Sequence, residues 1–437
     1  MKVKIIPYQR SIDSLMGMKI LVPEKAISQE MKIIPIDSFQ LIPRPTKESL
    51  DFLYFSVYIS IVDRLIKREW FADNWSRSID IEIPVSEPKR WENAKSEFEE
   101  ALNFLSGDSW NLSFVDVKED YFLINKLSLE QNNTTYKNIC LFSGGLDSLV
   151  GAIDLAEQTD NIILSSFYDG HGAILGKQNE LFNYIKGNKN IFLNQFALNR
   201  IKSNEDTTRA RSVLFLGWAL YSAINLNMSK IITPENGQIS INLPLTASRA
   251  GSNSTRTMHP YFIKYFQKAL AQLGYEITIE NPYLFKTKGE MLIECDNKFL
   301  LETLLKSSMS CSHPSIKQQW KRRDVNHCGY CMPCIIRRAS IHRYNKSLDQ
   351  ACDYGIDIFN EDELTLEQDG VIARNIKAVL NFLSLQHNEH SYKKLLNQVV
   401  KIDDSKEITS MLINGYDEIR LLIRDKGSKE MKRIAKL

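Results

Sequence analysis

Long apolar runs are missing from this sequence. The longest, LYFSVYISIV, ends at Asp63 and falls well short of the ~20 residues a membrane helix needs. The amino-terminal MKVKIIPYQR has no apolar h-region, so no secretory signal is expected and the protein is read as cytoplasmic. An excess of one charge sign is missing too. Lys and Arg number 55 against 53 Asp and Glu, a formal net charge of +2. That excludes a strongly basic nucleic-acid binder and an acidic disordered chain, and leaves room only for local patches. No internal repeat and no low-complexity tract is present. Cysteine is scarce and unevenly placed, at seven residues in 437. Cys140, Cys295 and Cys352 stand alone and read as buried structural thiols. The other four share one short stretch, which in a reducing compartment points to metal binding or catalysis rather than disulfides.

What is present is the composition of a globular protein, 43% hydrophobic and 25% charged, long enough for about two to four domains. Three textures follow one another. Residues 1–136 mix short strands (MKVKIIP, RSIDIEIPV, WNLSFVDV) with two helical stretches, ESLDFLYFSVYISIVDRLIKRE and PKRWENAKSEFEEALNFL, an α+β accessory domain. Pro88 suits a helix start, and the polar run at 130–138 reads as a linker. Residues 137–354 alternate apolar strands (NICLF, NIILSSF, NIFLNQF, KIITP) with helices, which predicts an α/β domain with a parallel sheet covered on both faces. Residues 355–437 are amphipathic and helical, an extension packed on the core or on a partner.

Residues 139–150, ICLFSGGLDSLV, place two adjacent glycines between an apolar strand and a helix. Glycine backbone can approach phosphate oxygens closely, and the positive end of a helix faces the anion. Ser143 and Ser148 can donate hydroxyl hydrogen bonds, and Asp147 can hold Mg²⁺ or cap the helix. The Walker pattern with its lysine is absent. The plainer alternative is a tight strand-to-helix turn without a ligand. Downstream, Cys311, Cys328, Cys331 and Cys334 follow the spacing C-x16-C-x2-C-x2-C. Four thiolates at this spacing can close a tetrahedral, structural Zn²⁺ site. An Fe–S cluster, a redox pair, or replacement of one cysteine by His313 or His327 stays open on spacing alone. No Ser-His-Asp or Cys-His set stands out. The basic run QQWKRRD, 318–324, reads as a solvated loop between metal ligands.

SGGLDS resembles the S-G-G-x-D-S signature of the PP-loop ATPases, the N-type ATP pyrophosphatases of adenine nucleotide alpha hydrolase-like fold. The resemblance implies that Ser143, Gly144, Gly145, Leu146, Asp147 and Ser148 bind the β,γ-diphosphate of ATP with Mg²⁺, and that ATP is cut between its α- and β-phosphates. The loop followed by Cys311 and CGYCMPCIIR is similar to the 7-cyano-7-deazaguanine synthase (QueC) family, with Arg337 in the trailing arginine position. TTRARSVLFLGWAL puts Arg211 in that family's helix arginine position, and KTKGEM, 286–291, resembles its K-x-E step. By that resemblance Asp147, Arg211 and Lys286 are the catalytic candidates and zinc is structural.

The resemblance covers residues 137–350 and departs where the family's substrate-base stretch should stand. Here the chain reads PENGQISINLPLTASRAGSNSTRTMHPYF, 234–262. Glu235, Asn236, Arg249, Arg256 and His259 are the substrate-binding candidates. Arginine suits a carboxylate or phosphate, and Glu and Asn suit a base edge. His259 is also a candidate general base. The long form is similar to the QueC-like proteins of bacterial anti-phage defence systems, the Qat type in particular. That similarity implies a ligase: a deazaguanine carboxylate is adenylated by ATP, and the N-terminal amine of a co-encoded partner protein then attacks to form an amide. The other readings are a small-molecule synthase using ammonia, a thiolating RNA-modification enzyme, and a nucleotide-binding scaffold. No membrane partner is expected, nor nucleic acid as a direct substrate.

Overall fold

The computed structural model describes residues 1–8, 15–36, 41–42, 45–117, 135–168, 172–198, 203–245, 256–313, 317–366, 370–399 and 405–437. Strands β1 (Lys2–Tyr8), β2 (Leu15–Val22), β3 (Ile27–Ile36), β4 (Ser78–Val85), β5 (Ser109–Asp116), β6 (Asn138–Leu141), β7 (Ile162–Tyr168), β8 (Ile191–Leu198), β9 (Lys230–Ile232) and β10 (Thr278–Glu280) form one ten-stranded sheet. Its order is β10-β9-β6-β7-β8-β3-β2-β1-β4-β5. From β10 to β8 every pairing is parallel. The apolar strands of the 137–232 region, separated by helices, explain this half, since parallel neighbours need crossovers. The chain moves one way from β6 to β7 and β8, then returns to the other side of β6 for β9 and β10. The sheet therefore has a switch point between β6 and β9, and the carboxyl ends of these strands border a crevice, the place where open α/β sheets bind ligands.

Both faces of this half are covered. Ile139 and Ile163 face one core cluster, while Cys140, Ile162 and Leu164 face another. The first cluster holds helices α1 (Lys47–Leu65), α3 (Lys95–Ser106), α6 (Arg211–Asn225) and α8 (Pro260–Gln272). The second holds α4 (Leu146–Gln158), α5 (Gly172–Lys186), α9 (Lys288–Glu294) and α10 (Lys298–Leu304). The stretch predicted as one helix from Pro88 breaks at Asn93–Ala94 into α2 (Pro88–Glu92) and α3, with Pro88 in the first turn as expected. The short α7 (Gly237–Ile241) follows β9.

Residues 1–117 continue the same sheet. β1, β2 and β3 are antiparallel neighbours, β3 pairs antiparallel with β8 (Ile33 opposite Leu198), and β4 and β5 lie parallel beyond β1. α1 is apolar almost all round and is buried, packing along α6. Their approach depends on Gly217, where a Cβ would fall 2.1 Å from Ser56 Oγ and 2.2 Å from its Cβ. The linker expected at 130–138 falls mostly outside the described residues.

The C-terminal helices, α12 (Val371–Ser384), α13 (Glu389–Val399), α14 (Ser405–Lys426) and α15 (Lys429–Ala435), share a third cluster with α11 (Met332–Tyr344) and the cysteine segment. Tyr354–Ile356 closes over that segment: Gly355 N donates to His327 O and Ile356 N to Cys328 O. The extension thus packs on the core of its own chain. No helix among the described residues is long and apolar enough to cross a membrane.

Gly217→Ala forces the α1–α6 contact apart. We expect a loss of about 1–3 kcal/mol of stability, read by denaturant unfolding, with part of it recovered in the Gly217→Ala, Ser56→Gly double variant.

Candidate functional site

β6 ends at Leu141, and the chain turns through Phe142–Gly145 into α4 at the switch point. Gly144 takes φ +80°, a left-handed conformation that glycine adopts without penalty. Gln178 of α5 donates from Nε2 to Ser143 O and Phe167 O, both at 3.2 Å, tying the loop to the end of β7. Gly145 N donates to Ser143 Oγ at 3.2 Å, and Ser148 Oγ donates to Gly145 O at 3.0 Å. The two hydroxyls lie 3.2 Å apart. The loop thus presents two hydroxyl groups and the positive end of a 13-residue helix.

Asp147, in the first turn of α4, is held from two sides. Asn236 Nδ2 donates to Oδ2 at 2.8 Å, and Lys288 Nζ lies 2.8 Å from Oδ1. Asn236 is fixed because its own Oδ1 caps α7, accepting from Ile239 N at 3.1 Å. Lys288 is fixed because it opens α9 behind a complete capping box between Thr287 and Glu290. The cap is braced from the C-terminal extension. Thr287 Oγ1 donates to Glu418 of α14, Glu418 also accepts from Ser340 Oγ at 3.2 Å, and Asn414 Nδ2 donates to Glu290 Oε1 at 2.9 Å. Burial pushes the Glu418 carboxyl up to about 7.

Beside the loop, Ser143, Ser148, Ser212, Phe215, Glu235 and Thr257 line a cavity of about 150 Å³. Glu235 accepts from Thr257 Oγ1 at 2.7 and 2.9 Å and from Ser240 Oγ at 3.0 Å. Burial, with Asp147 adding to it, raises its carboxyl to about 7. Near neutral pH this carboxyl is poised between hydrogen-bond donor and acceptor.

The four clustered thiols lie within 4.8 Å of one another, and Cys328 Sγ and Cys334 Sγ are 3.8 Å apart. A tetrahedron with Zn–S bonds of ~2.3 Å has edges of ~3.8 Å, so the group fits a structural metal such as zinc. Backbone N–H groups point at the sulfurs: His313 N and Cys328 N at Cys311 Sγ, and Cys331 N at Cys328 Sγ, each 3.3 Å away. Neither candidate histidine replaces a cysteine in this group. His327 is buried, with Ser310 N donating to Nε2 at 3.4 Å, and the His313 ring stacks on Tyr330. The cluster and the loop are joined by a strap just before Cys311. Met309 N donates to Gly144 O at 2.8 Å, and Leu146 N donates to Ser310 Oγ at 3.1 Å. Arg337 holds the other end of the strap through Ser308 Oγ at 2.9 Å.

Other sequence candidates sit elsewhere. Lys286 is half-exposed and pairs with Glu294 at 2.5 Å; Lys288, two residues on, is the lysine at Asp147. Arg211 opens α6 and lies over the Phe215 ring that lines the small cavity. Arg256 is spent on Phe104, donating to its carbonyl at 2.6 Å with its guanidinium over the ring. His259 is not placed as a general base: it is 1% exposed and its Nδ1 caps α8. Burial, with Arg256 nearby, drives its pKa down to about 3. Arg249 lies outside the described residues. Cys140 and Cys295 are buried as expected, but Cys352 is exposed. The basic run is folded in, with Arg322 bound to Glu363 at 2.9 and 2.7 Å and Trp320 buried. Sequence reading missed Lys288, Ser310 and Gln178. The string TKGE, a capping box, was the signal that puts residue 288 in a fixed first turn.

Compared with known protein families and with curated proteins, the chain matches none.

Two outcomes follow from the braces. Purified protein should carry about one zinc per chain, and Cys331→Ser should lose it. Stripping the metal should speed amide exchange at 143–148 through the Met309–Ser310 strap. An Fe–S absorption band, or unchanged exchange in the stripped protein, contradicts this. The second concerns pH. Glu418 has a folded pKa near 7, raised above its ordinary value of 4.5. Its neutral form therefore contributes stability that is complete below 4.5 and is lost as pH rises through about 7. Between pH 5 and 8, Glu418→Gln should show a shallower fall in melting temperature than the parent; parallel curves would refute the assignment.

Proposed function

We propose that the chain is an ATP-dependent, C–N bond-forming ligase of the PP-loop class. A deazaguanine carboxylate attacks the α-phosphorus of ATP, giving an acyl-adenylate and releasing pyrophosphate. An amine then attacks the acyl carbon, forming an amide and expelling AMP. The acceptor is the N-terminal amine of a co-encoded partner in an anti-phage defence system. The observation that carries this reading is the SGGLDS loop at the switch point between β6 and β9, with Asp147 held by Asn236 and Lys288. Ser143, Ser148 and the first turn of α4 suit a diphosphate leaving as one unit. Asp147 suits the Mg²⁺ that accompanies it. Lys288 and Arg211 supply positive charge to offset the charge developing near the α-phosphate. Zinc has no step here, because a closed four-thiolate site keeps no open position.

One incubation tests the proposal: pure protein, Mg·ATP, 7-carboxy-7-deazaguanine, and either ammonium or the co-encoded partner. Pyrophosphate, AMP and a partner of increased mass are expected. A nitrile from ammonium alone points instead to a small-molecule synthase, and absence of pyrophosphate in every combination removes the enzyme reading. Ser143 is exposed, so Ser143→Ala should keep the fold and lower turnover about 100-fold. Lys286→Ala should turn over like the parent.

A further inference from the structure

A groove of about 440 Å³ adjoins the small cavity beside the glycine loop. Thr233 and Met258 line both, so the two spaces meet at that pair. Thr233 directly follows β9, and Asn281, also in the groove wall, directly follows β10. The groove therefore opens at the carboxyl ends of the outer strands, the same edge of the sheet as the loop after β6. Asn281 ties the two spaces together. Its Nδ2 donates to Glu235 O at 2.7 Å and to Ser240 Oγ at 3.2 Å, and Glu235 lines the small cavity.

The long wall is one face of α8. Ile263, Lys264, Gln267, Lys268 and Ala271 follow one another at helical spacing and line the groove, while Phe262, Phe266 and Leu270 enter the core on the other side. Ile263, Ala271, Ile279 and Leu284 make the apolar part of the wall. Ala271 is exposed and Ile263 and Leu284 are half-buried, so this apolar strip is open to solvent. From Ile263 to Ala271 the helix rises ~12 Å, the length of about four extended residues. β10 is the outermost strand on this side, and its Ile279 N–H is taken by Gln267 Oε1 at 2.6 Å. The groove thus offers side chains rather than a free strand edge. Its charge has one sign: Lys264 and Lys268 are exposed, and no acidic residue stands among the described lining residues.

We infer that this groove seats the acceptor protein: an extended segment of alternating apolar and acidic residues, entering amino terminus first past Thr233 and Met258 toward the glycine loop. The inference deepens the ligase reading and rests on it for the segment's role as acceptor. Alternation follows from the walls, since an extended chain sends successive side chains to opposite sides, one toward the apolar strip and the next toward the lysines. Charge fits at both ends. Lys264 and Lys268 attract acidic side chains along the groove. At its inner end the half-buried Glu235 offers a carboxyl to a cationic amino group, and its two hydroxyl donors, Thr257 and Ser240, leave carboxylate lone pairs unused. Ammonia needs no such groove, so the feature favours a protein amine as the nucleophile.

The test uses full-length protein and two short synthetic peptides with free amino termini, one alternating Val with Glu and one alternating Val with Lys, each labelled at its carboxyl end and titrated by fluorescence anisotropy. The acidic peptide should bind at least about tenfold more tightly than the basic one. Ala271→Trp fills the groove from an exposed position and should weaken the acidic peptide about tenfold or more; Lys268→Glu should weaken it about fivefold. Both variants should keep the exchange of pyrophosphate into ATP that depends on 7-carboxy-7-deazaguanine, a half-reaction that needs no acceptor, while Ala271→Trp lowers amide transfer to the co-encoded partner by the same factor as peptide binding. Equal or absent binding of the two peptides in the parent, or binding and transfer that ignore both variants, overturns the groove assignment and leaves the ATP chemistry standing. A parent dimer that Ala271→Trp splits gives the groove to a second copy of this chain instead. Acidic-peptide binding that follows the variants, with no acid-dependent exchange in any protein, removes the ligase reading and leaves the groove as a peptide site.

Discussion

The carboxylate of Asp147 is where the fold converges. One oxygen takes the Asn236 amide and the other faces the Lys288 ammonium, each at 2.8 Å. The Lys288 side chain is only 4% exposed and that of Asp147 14%, so neither charge is dispensable. Removing one partner of a buried pair leaves the other uncompensated, at about 3–5 kcal/mol. The three residues come from the helix after β6, the turn after β9 and the start of α9. They meet because the chain reverses direction across the sheet between β6 and β9, which brings the ends of two strands far apart in sequence to the same edge.

The segments outside the parallel half act on this centre through named contacts. Asp63, on α1, accepts from Arg209 N and Ala210 N at 2.7 and 2.8 Å, so an N-terminal residue satisfies backbone donors at the start of the helix that carries Arg211. Glu418, on α14, bonds the cap of the helix that carries Lys288. Gly289 leaves no room between them, since a Cβ there would fall 2.3 Å from the Glu418 carboxylate. The C-terminal extension therefore helps set the position of Lys288 beside Asp147, and the N-terminal segment that of the start of α6.

The sequence made the local features legible. Apolar strands between helices foretold the parallel half with both faces covered, and Ile139 and Cys140 show it by entering different cores. The cysteine spacing foretold the thiol group. Features that depend on long-range packing were not legible. Nothing in ISQEMKIIPI says that β3 will pair with β8 and fuse two regions into one sheet. Lys286 and Lys288 look alike in a motif, and only the register of the capping box decides that one faces Glu294 and the other Asp147. His259, Arg256 and Asn236 stood in one polar loop with equal claims. Two are consumed by capping and packing, and Asn236 caps a helix and still reaches Asp147.

The strap at Met309–Ser310 sets a condition on any anion that enters the loop. Ser310 Oγ already accepts the Leu146 N–H, one of the first-turn donors that a diphosphate would seek. An incoming phosphate oxygen must use the remaining donors with Ser310 in place, or displace the hydroxyl and move the strap. The strap is short. Its next residue is Cys311, a member of the four-thiol group, and its preceding residue, Ser308, is held by Arg337. With the thiols closed around a metal both ends are fixed, and displacement becomes costly. The first course is then favoured: the anion meets the Ser143 and Ser148 hydroxyls and the donors beyond Leu146. A metal closed in the cysteine cluster would in this way restrict which donors of the glycine loop an entering anion can reach.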